Sequence, residues 1–191
     1  MERLKLLQEI TMIFPQAPPP GEKVTASIPI HDILIATIDN RGQILSTAIL
    51  IEQKLEQILE ILLHQESYDA SEFGKKMWRK RNIDFNVKFQ MLRALSSSHT
   101  YIQRDKNDWK LFRKFLSEVI EIRNCFAHGK IYFKEDKIYL EFIKAEKERS
   151  EELNDTYWKT IQETFDQATK LSANLMGKLL KYSNVTSDNS K

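Results

Sequence analysis

Residues 108–129 read DWKLFRKFLSEVIEIRNCFAHG, and the spacing within them decides the fold. At 100° per residue, Phe112, Phe115, Leu116, Val119, Ile122 and Phe126 fall on one face of a helix. Lys114, Glu118 and Glu121 fall on the outer side. Asp108 opens the segment, and Gly129 closes it as a C′ glycine. A helix with so wide an apolar stripe buries it against other elements. Arg123 projects into the middle of that stripe, while Asn124 and His128, four apart, share its polar margin. Burying an unpaired guanidinium costs on the order of several kcal/mol, so Arg123 needs an anion, an opening or a partner chain.

Working outward, Gln43 to His64 forms a second strong helix, with Ile44, Ala48, Ile51, Leu55, Ile58, Leu59 and Leu62 on one face. Glu52 lies beside this stripe, where a charge is out of place, and is the candidate internal partner for Arg123. Asp84 is placed as the N-cap of a helix ending near Leu95, with Phe85, Lys88, Phe89, Leu92 and Leu95 on its inner edge. Ser96 to Asn107 reads as a polar loop. After the motif, residues 131–133 and 137–142 form a hairpin around Lys134-Glu135-Asp136. A last long helix is expected from about Arg149 to Tyr182, with Leu153, Tyr157, Ile161, Phe165, Ala168, Leu175 and Leu179 on its stripe. Upstream, Ile28 to Ile38 reads as a short helix, and Asp39-Asn40-Arg41-Gly42 punctuates the chain after it. The expected organisation is an N-terminal helix and Pro-rich connector over residues 1–27, one helical domain over 28–182, and a disordered tail over 183–191.

The 191 residues suffice for one domain with a core of its own. A net charge of +2 neither demands nor forbids a nucleic-acid partner. Cys125 is the only cysteine, so no internal disulfide forms, which fits a reducing, cytoplasmic setting. Its neighbours on the motif helix make it a packed thiol rather than a nucleophile. Glu2, Arg3, Lys5 and Glu9 interrupt the first apolar stretch, so no secretory signal is expected. No apolar run reaches the roughly 18 residues of a membrane span. His31, His64 and His99 are scattered without metal-ligand spacing, so neither a metal nor a cofactor is expected. The phosphate-binding glycine loop and the nucleophile elbow are both missing.

The chemistry points to the motif helix. A histidine such as His128 gives and takes protons near neutrality. A neighbouring arginine, Arg123, stabilises charge developing on a phosphate. Asn124 can orient the imidazole or hold a phosphate oxygen. Together they form a set able to cleave RNA without a metal, with the 2′-hydroxyl as nucleophile. Lys130 beside the motif is a candidate RNA contact, as is the cluster Lys75, Lys76, Arg79, Lys80 and Arg81 around Trp78. That cluster is also what a solvated loop looks like. Likewise, Arg123 bridging helices through Glu52 and His128 capping its own helix would be purely structural.

The string Glu121-Ile122-Arg123-Asn124-Cys125-Phe126-Ala127-His128-Gly129 resembles the Arg-x4-6-His motif of the HEPN superfamily, including the polar residue after the arginine. Asp39-Asn40-Arg41-Gly42, the helix after it, Phe85-Asn86-Val87-Lys88-Phe89 and then the motif are similar to the layout of mannitol-repressor-like HEPN proteins. The resemblance covers about Ile28 to Phe142. It implies an all-α, HEPN-like helical bundle with a small β-hairpin after the motif helix. It also implies a homodimer in which Arg123 and His128 of both copies line one cleft. The activity implied is a metal-independent endoribonuclease in toxin–antitoxin or phage-defence systems, with an antitoxin or regulatory protein as a further partner. The mannitol-repressor-like branch implies the alternative, a non-catalytic regulatory or interaction protein. No helix-turn-helix is visible, so direct DNA reading has no support in the sequence.

Overall fold

The computed structural model describes residues 30–64, 83–96, 99–135 and 137–188. They form α1 (Ile30–His64), α2 (Phe85–Leu95), α3 (Thr100–Arg104), α4 (Lys106–His128), β1 (Lys130–Lys134), β2 (Lys137–Lys144), β3 (Lys147–Glu152) and α5 (Asp155–Asp188). The described residues are mostly helical, with one small antiparallel sheet among them in the order β1-β2-β3. The N-terminal helix and connector expected over 1–27, and the basic cluster Lys75, Lys76, Arg79, Lys80 and Arg81, lie outside the described residues.

Several expectations are corrected. Asp39-Asn40-Arg41-Gly42 does not punctuate the chain but lies inside α1. Burial runs through it without a break, from Thr37 and Asn40 to Ile44, Ala48, Ile51 and Leu55, at helical spacing. The polar character of Thr37 and Asn40 hides the continuation of the stripe. The stretch read as a loop before the motif helix contains α3, and α4 itself begins at Lys106. The hairpin gains a third strand, β3, in part from residues assigned to the last helix, which starts instead at Asp155. Asn154 Oδ1 accepts from the Tyr157 backbone N–H at 3.0 Å and fixes that start. The β2–β3 connection is the pair Ala145-Glu146, both left-handed with φ of 50° and 64°. Two-residue hairpin turns of this kind favour Asn and Gly, so Ala145-Glu146 carries no turn signal. At its other end α5 runs on to Asp188, into the segment expected to be a tail.

Other expectations hold. Asp84 Oδ1 accepts from the Val87 N–H at 2.8 Å as the N-cap of α2, and Phe85, Lys88, Phe89 and Leu92 are buried. On α4, Phe112, Leu116, Val119 and Phe126 are fully buried, joined by Trp109. On α5, Ile161, Phe165, Ala168, Leu175 and Leu179 are buried as the stripe requires.

Backbone contacts divide the chain into two compact units. The first takes in residues up to Thr47 together with Arg123–Glu163, and therefore holds the end of α4, the whole sheet and the start of α5. Its interior includes Ile44, Phe126, Leu140 and Trp158, with the Phe126 and Trp158 rings 5.7 Å apart. The second takes in Ala48–Ile122 and Thr164–Lys191. It buries Leu55, Leu59, Leu92, Phe112 and Phe165. There His99 is buried and donates from Nε2 to the Leu62 carbonyl at 3.1 Å. Among the described residues, no helix is long and apolar enough to cross a membrane.

Candidate functional site

The last two turns of α4 carry Arg123, Asn124 and His128, all in the first unit. Helical spacing puts Asn124 and His128 on one side of the helix, and both are exposed. Arg123 is half-buried, and its Nη1 donates to Asn124 Oδ1 at 2.9 Å. That is its one hydrogen bond among the described residues, so most of the guanidinium fork stays open to a ligand. The imidazole of His128 has no partner among the described residues. Anchored below, Phe126 is fully buried against Tyr157 and Trp158, which holds this turn of the helix in place.

Arg41, from the α1 segment read as punctuation, reaches the same place. Its Nη2 donates to the Ala127 carbonyl at 3.1 Å. A cation there meets the unsatisfied carbonyls at the negative end of the helix dipole. The contact brings a second guanidinium to the residue preceding His128. The signal for it was available only to a reading that carried α1 through residues 39–42.

Gly129 follows His128 for a different reason from the one expected. Its backbone is not left-handed; instead its N–H donates to the Cys125 carbonyl at 2.7 Å. A Cβ at this position would stand 2.3 Å from the Cys125 oxygen, 2.7 Å from Leu140 Cδ1 and 2.9 Å from the Glu141 oxygen. The glycine lets β2 close directly onto the end of the motif helix. Lys130 then starts β1 with its side chain exposed. Cys125 is half-buried and takes part in no disulfide.

Glu52 is not accounted for by Arg123. It lies in the second unit, where it accepts from Lys88 Nζ, which Glu56 also meets. Lys88 is only 4% exposed. Burial opposes its charge, but the hydrogen bonds it donates to both carboxylates outweigh that and hold the Lys88 pKa above its ordinary value. The two misplaced charges of the sequence therefore have separate explanations. Among the described residues, no group of three His, Cys, Asp or Glu is placed to hold a metal ion.

No protein-family model matches the chain, and neither a curated protein nor a solved structure is found similar to it.

Proposed function

We propose that the protein is a HEPN-type endoribonuclease that cleaves RNA at the end of α4 without a metal, using Arg123, Asn124 and His128. The observation that carries this reading is the openness of the three groups. Asn124 and His128 are exposed, and Arg123 is held by a neutral amide rather than neutralised by a carboxylate. Charges serving only to bridge helices are closed by partners, as Lys88 is.

The reaction balances within the substrate. A neutral imidazole of His128 takes the 2′-hydroxyl proton as that oxygen bonds to phosphorus. The P–O5′ bond breaks, and a protonated imidazole returns a proton to O5′. Arg123 meets the charge that builds on the non-bridging oxygens. Asn124 fixes the guanidinium, and Arg41 adds a second cation beside the site. In a homodimer of the kind the HEPN resemblance implies, two copies of His128 serve as base and acid. The same resemblance extends the proposal to a toxin or phage-defence effector restrained by an antitoxin or regulator.

The products provide the test. In EDTA, an RNA oligonucleotide is cut to a 2′,3′-cyclic phosphate and a 5′-hydroxyl, while DNA of the same sequence stays intact. Products with a 3′-hydroxyl, or equal cutting of DNA, contradict the mechanism.

A further inference from the structure

The sheet after the motif has two unlike faces. Across β1 and β2 the register pairs Lys130 with Glu141, Tyr132 with Tyr139 and Lys134 with Lys137. Across β2 and β3 it pairs Tyr139 with Glu152 and Glu141 with Ser150. Residues paired across a ladder share a face, so these side chains stand together. Leu140, fully buried beside Gly129, marks the opposite face as the one turned towards the end of α4. The tyrosine face is the outer one. On it the Tyr132 and Tyr139 rings stack, with centroids 5.4 Å apart and planes 18° apart. The Tyr132 and Ser150 hydroxyls share a hydrogen bond of 2.9 Å. Both rings remain partly accessible.

The charge on this face is graded. The only charged residues of β1 are Lys130 and Lys134, both exposed. The carboxylates of the face, Glu141, Glu148 and Glu152, stand on β2 and β3, and Lys137 binds Glu152 at 2.9 Å. Lys130 makes no ion pair among the described residues, and the contact of Lys134 with Glu135 is a long 3.9 Å. The β1 edge of the face is thus basic and aromatic, while its carboxylates stand on β2, where Glu141 lies opposite Lys130, and on β3. Edge lysines alone would serve to keep a strand from pairing with other chains. Lysines flanking an accessible ring stack, two residues along the chain from a phosphodiester-cleaving set, fit a nucleic acid strand.

We infer that this face is the track for a single-stranded stretch of the RNA. Lys130 takes a phosphate next to the scissile one. A base stacks on the Tyr132–Tyr139 pair, about 7 Å further along β1. Lys134 takes a phosphate beyond it. Bases in a duplex already stack on one another and cannot offer their faces, so the track selects unpaired RNA. The inference rests on the ribonuclease reading and deepens it by naming the substrate class.

Binding and cleavage, measured separately on the full chain, test it. The binding probe is a labelled single-stranded RNA with 2′-O-methyl sugars, which cannot be cut, followed by fluorescence anisotropy. Tyr132→Leu and Tyr139→Leu are each expected to weaken binding about 5- to 150-fold, the range for loss of one base–aromatic stack. Tyr132→Phe loses only the bond to Ser150 and is expected to bind like wild type. A duplex probe is expected to bind weakly and without regard to the tyrosines. Lys130→Gln combined with Lys134→Gln, at two exposed positions, lowers the slope of log affinity against log salt by roughly 1.4. That pair carries the test should the leucine variants fail to fold. Failure of the wild type to bind the probe, or folded leucine variants that bind like wild type, overturns the track, as does an unchanged salt slope. RNA cleavage that ignores the tyrosines removes the track and leaves the ribonuclease. Tyrosine-dependent binding without cleavage keeps the track and removes the ribonuclease.

Discussion

Two charged clusters sit beside apolar helical stripes in this protein, and they end differently. At Glu52, Lys88 and Glu56 the ammonium is almost wholly buried and both carboxylates close on it. At Arg123, Asn124 and His128 the guanidinium is half-buried against a neutral amide, and the imidazole faces solvent. A closed cluster spends its interactions within the fold, where losing one partner strands the others. An open one keeps donors and a titratable ring for something outside the chain. A charge misplaced in an apolar pattern is therefore not by itself a sign of function; what matters is whether the fold supplies its counter-charge.

The contrast breaks most visibly on Arg123→Ala. Cleavage is expected to fall about 10²- to 10³-fold, as when a transition-state donor is lost, while the urea unfolding midpoint barely moves. A large loss of stability with activity per folded molecule unchanged would make Arg123 another closed structural charge. Lys88→Ala is the mirror image. It is expected to cost about 3 kcal/mol of stability, because two carboxylates lose their cation, with cleavage by the folded fraction unchanged. Chemical denaturation paired with an activity assay separates the two variants.

Gly129→Ala tests the link between the motif and the sheet. A methyl group there meets two backbone oxygens, so overpacking of about 1–3 kcal/mol is expected. Cleavage should fall too, since the strain acts on the residue next to His128. The smallest effect concerns a second closed cluster. Lys178 donates to Asp105 at 2.8 Å and to Asp108 at 2.7 Å, and the Tyr182 hydroxyl donates to Asp105 at 3.0 Å. The hydrogen bond from Lys178, which outweighs the opposing effect of burial, lowers the Asp105 pKa below its ordinary value of 3.8, and Tyr182 adds to this. A carboxyl depressed on folding stabilises the protein fully above its unfolded pKa, and the contribution is lost as pH falls through the folded value. Wild type should therefore be more stable than Asp105→Asn near neutrality, and the difference should shrink below about pH 4. A gap between them that does not change with pH would remove Asp105 from the acid response.

Much of this was legible in the sequence where apolar residues keep a helical period. The α4 stripe from Phe112 to Phe126, the Asp84 cap and the α5 stripe all follow from spacing. The continuity of α1 did not, because Thr37 and Asn40 hold buried positions with polar side chains. Strand β3 did not either: Lys147-Glu148-Arg149-Ser150-Glu151-Glu152 has no apolar alternation, and its turn uses Ala145-Glu146. At the site, the spacing of Arg123, Asn124 and His128 placed them on one stretch of helix. The roles of Arg41 and Lys88 were hidden because partner choice depends on how distant segments meet, which no local spacing encodes. The stacked tyrosines followed only once the β1–β2 register was known.

The most direct measurement is cleavage of a mixed RNA pool in EDTA by the purified wild type and by His128→Ala, with folding of both checked by circular dichroism. The open-cluster account predicts cutting by the wild type and none by the folded variant. Equal cutting by both, or none by either, would contradict it.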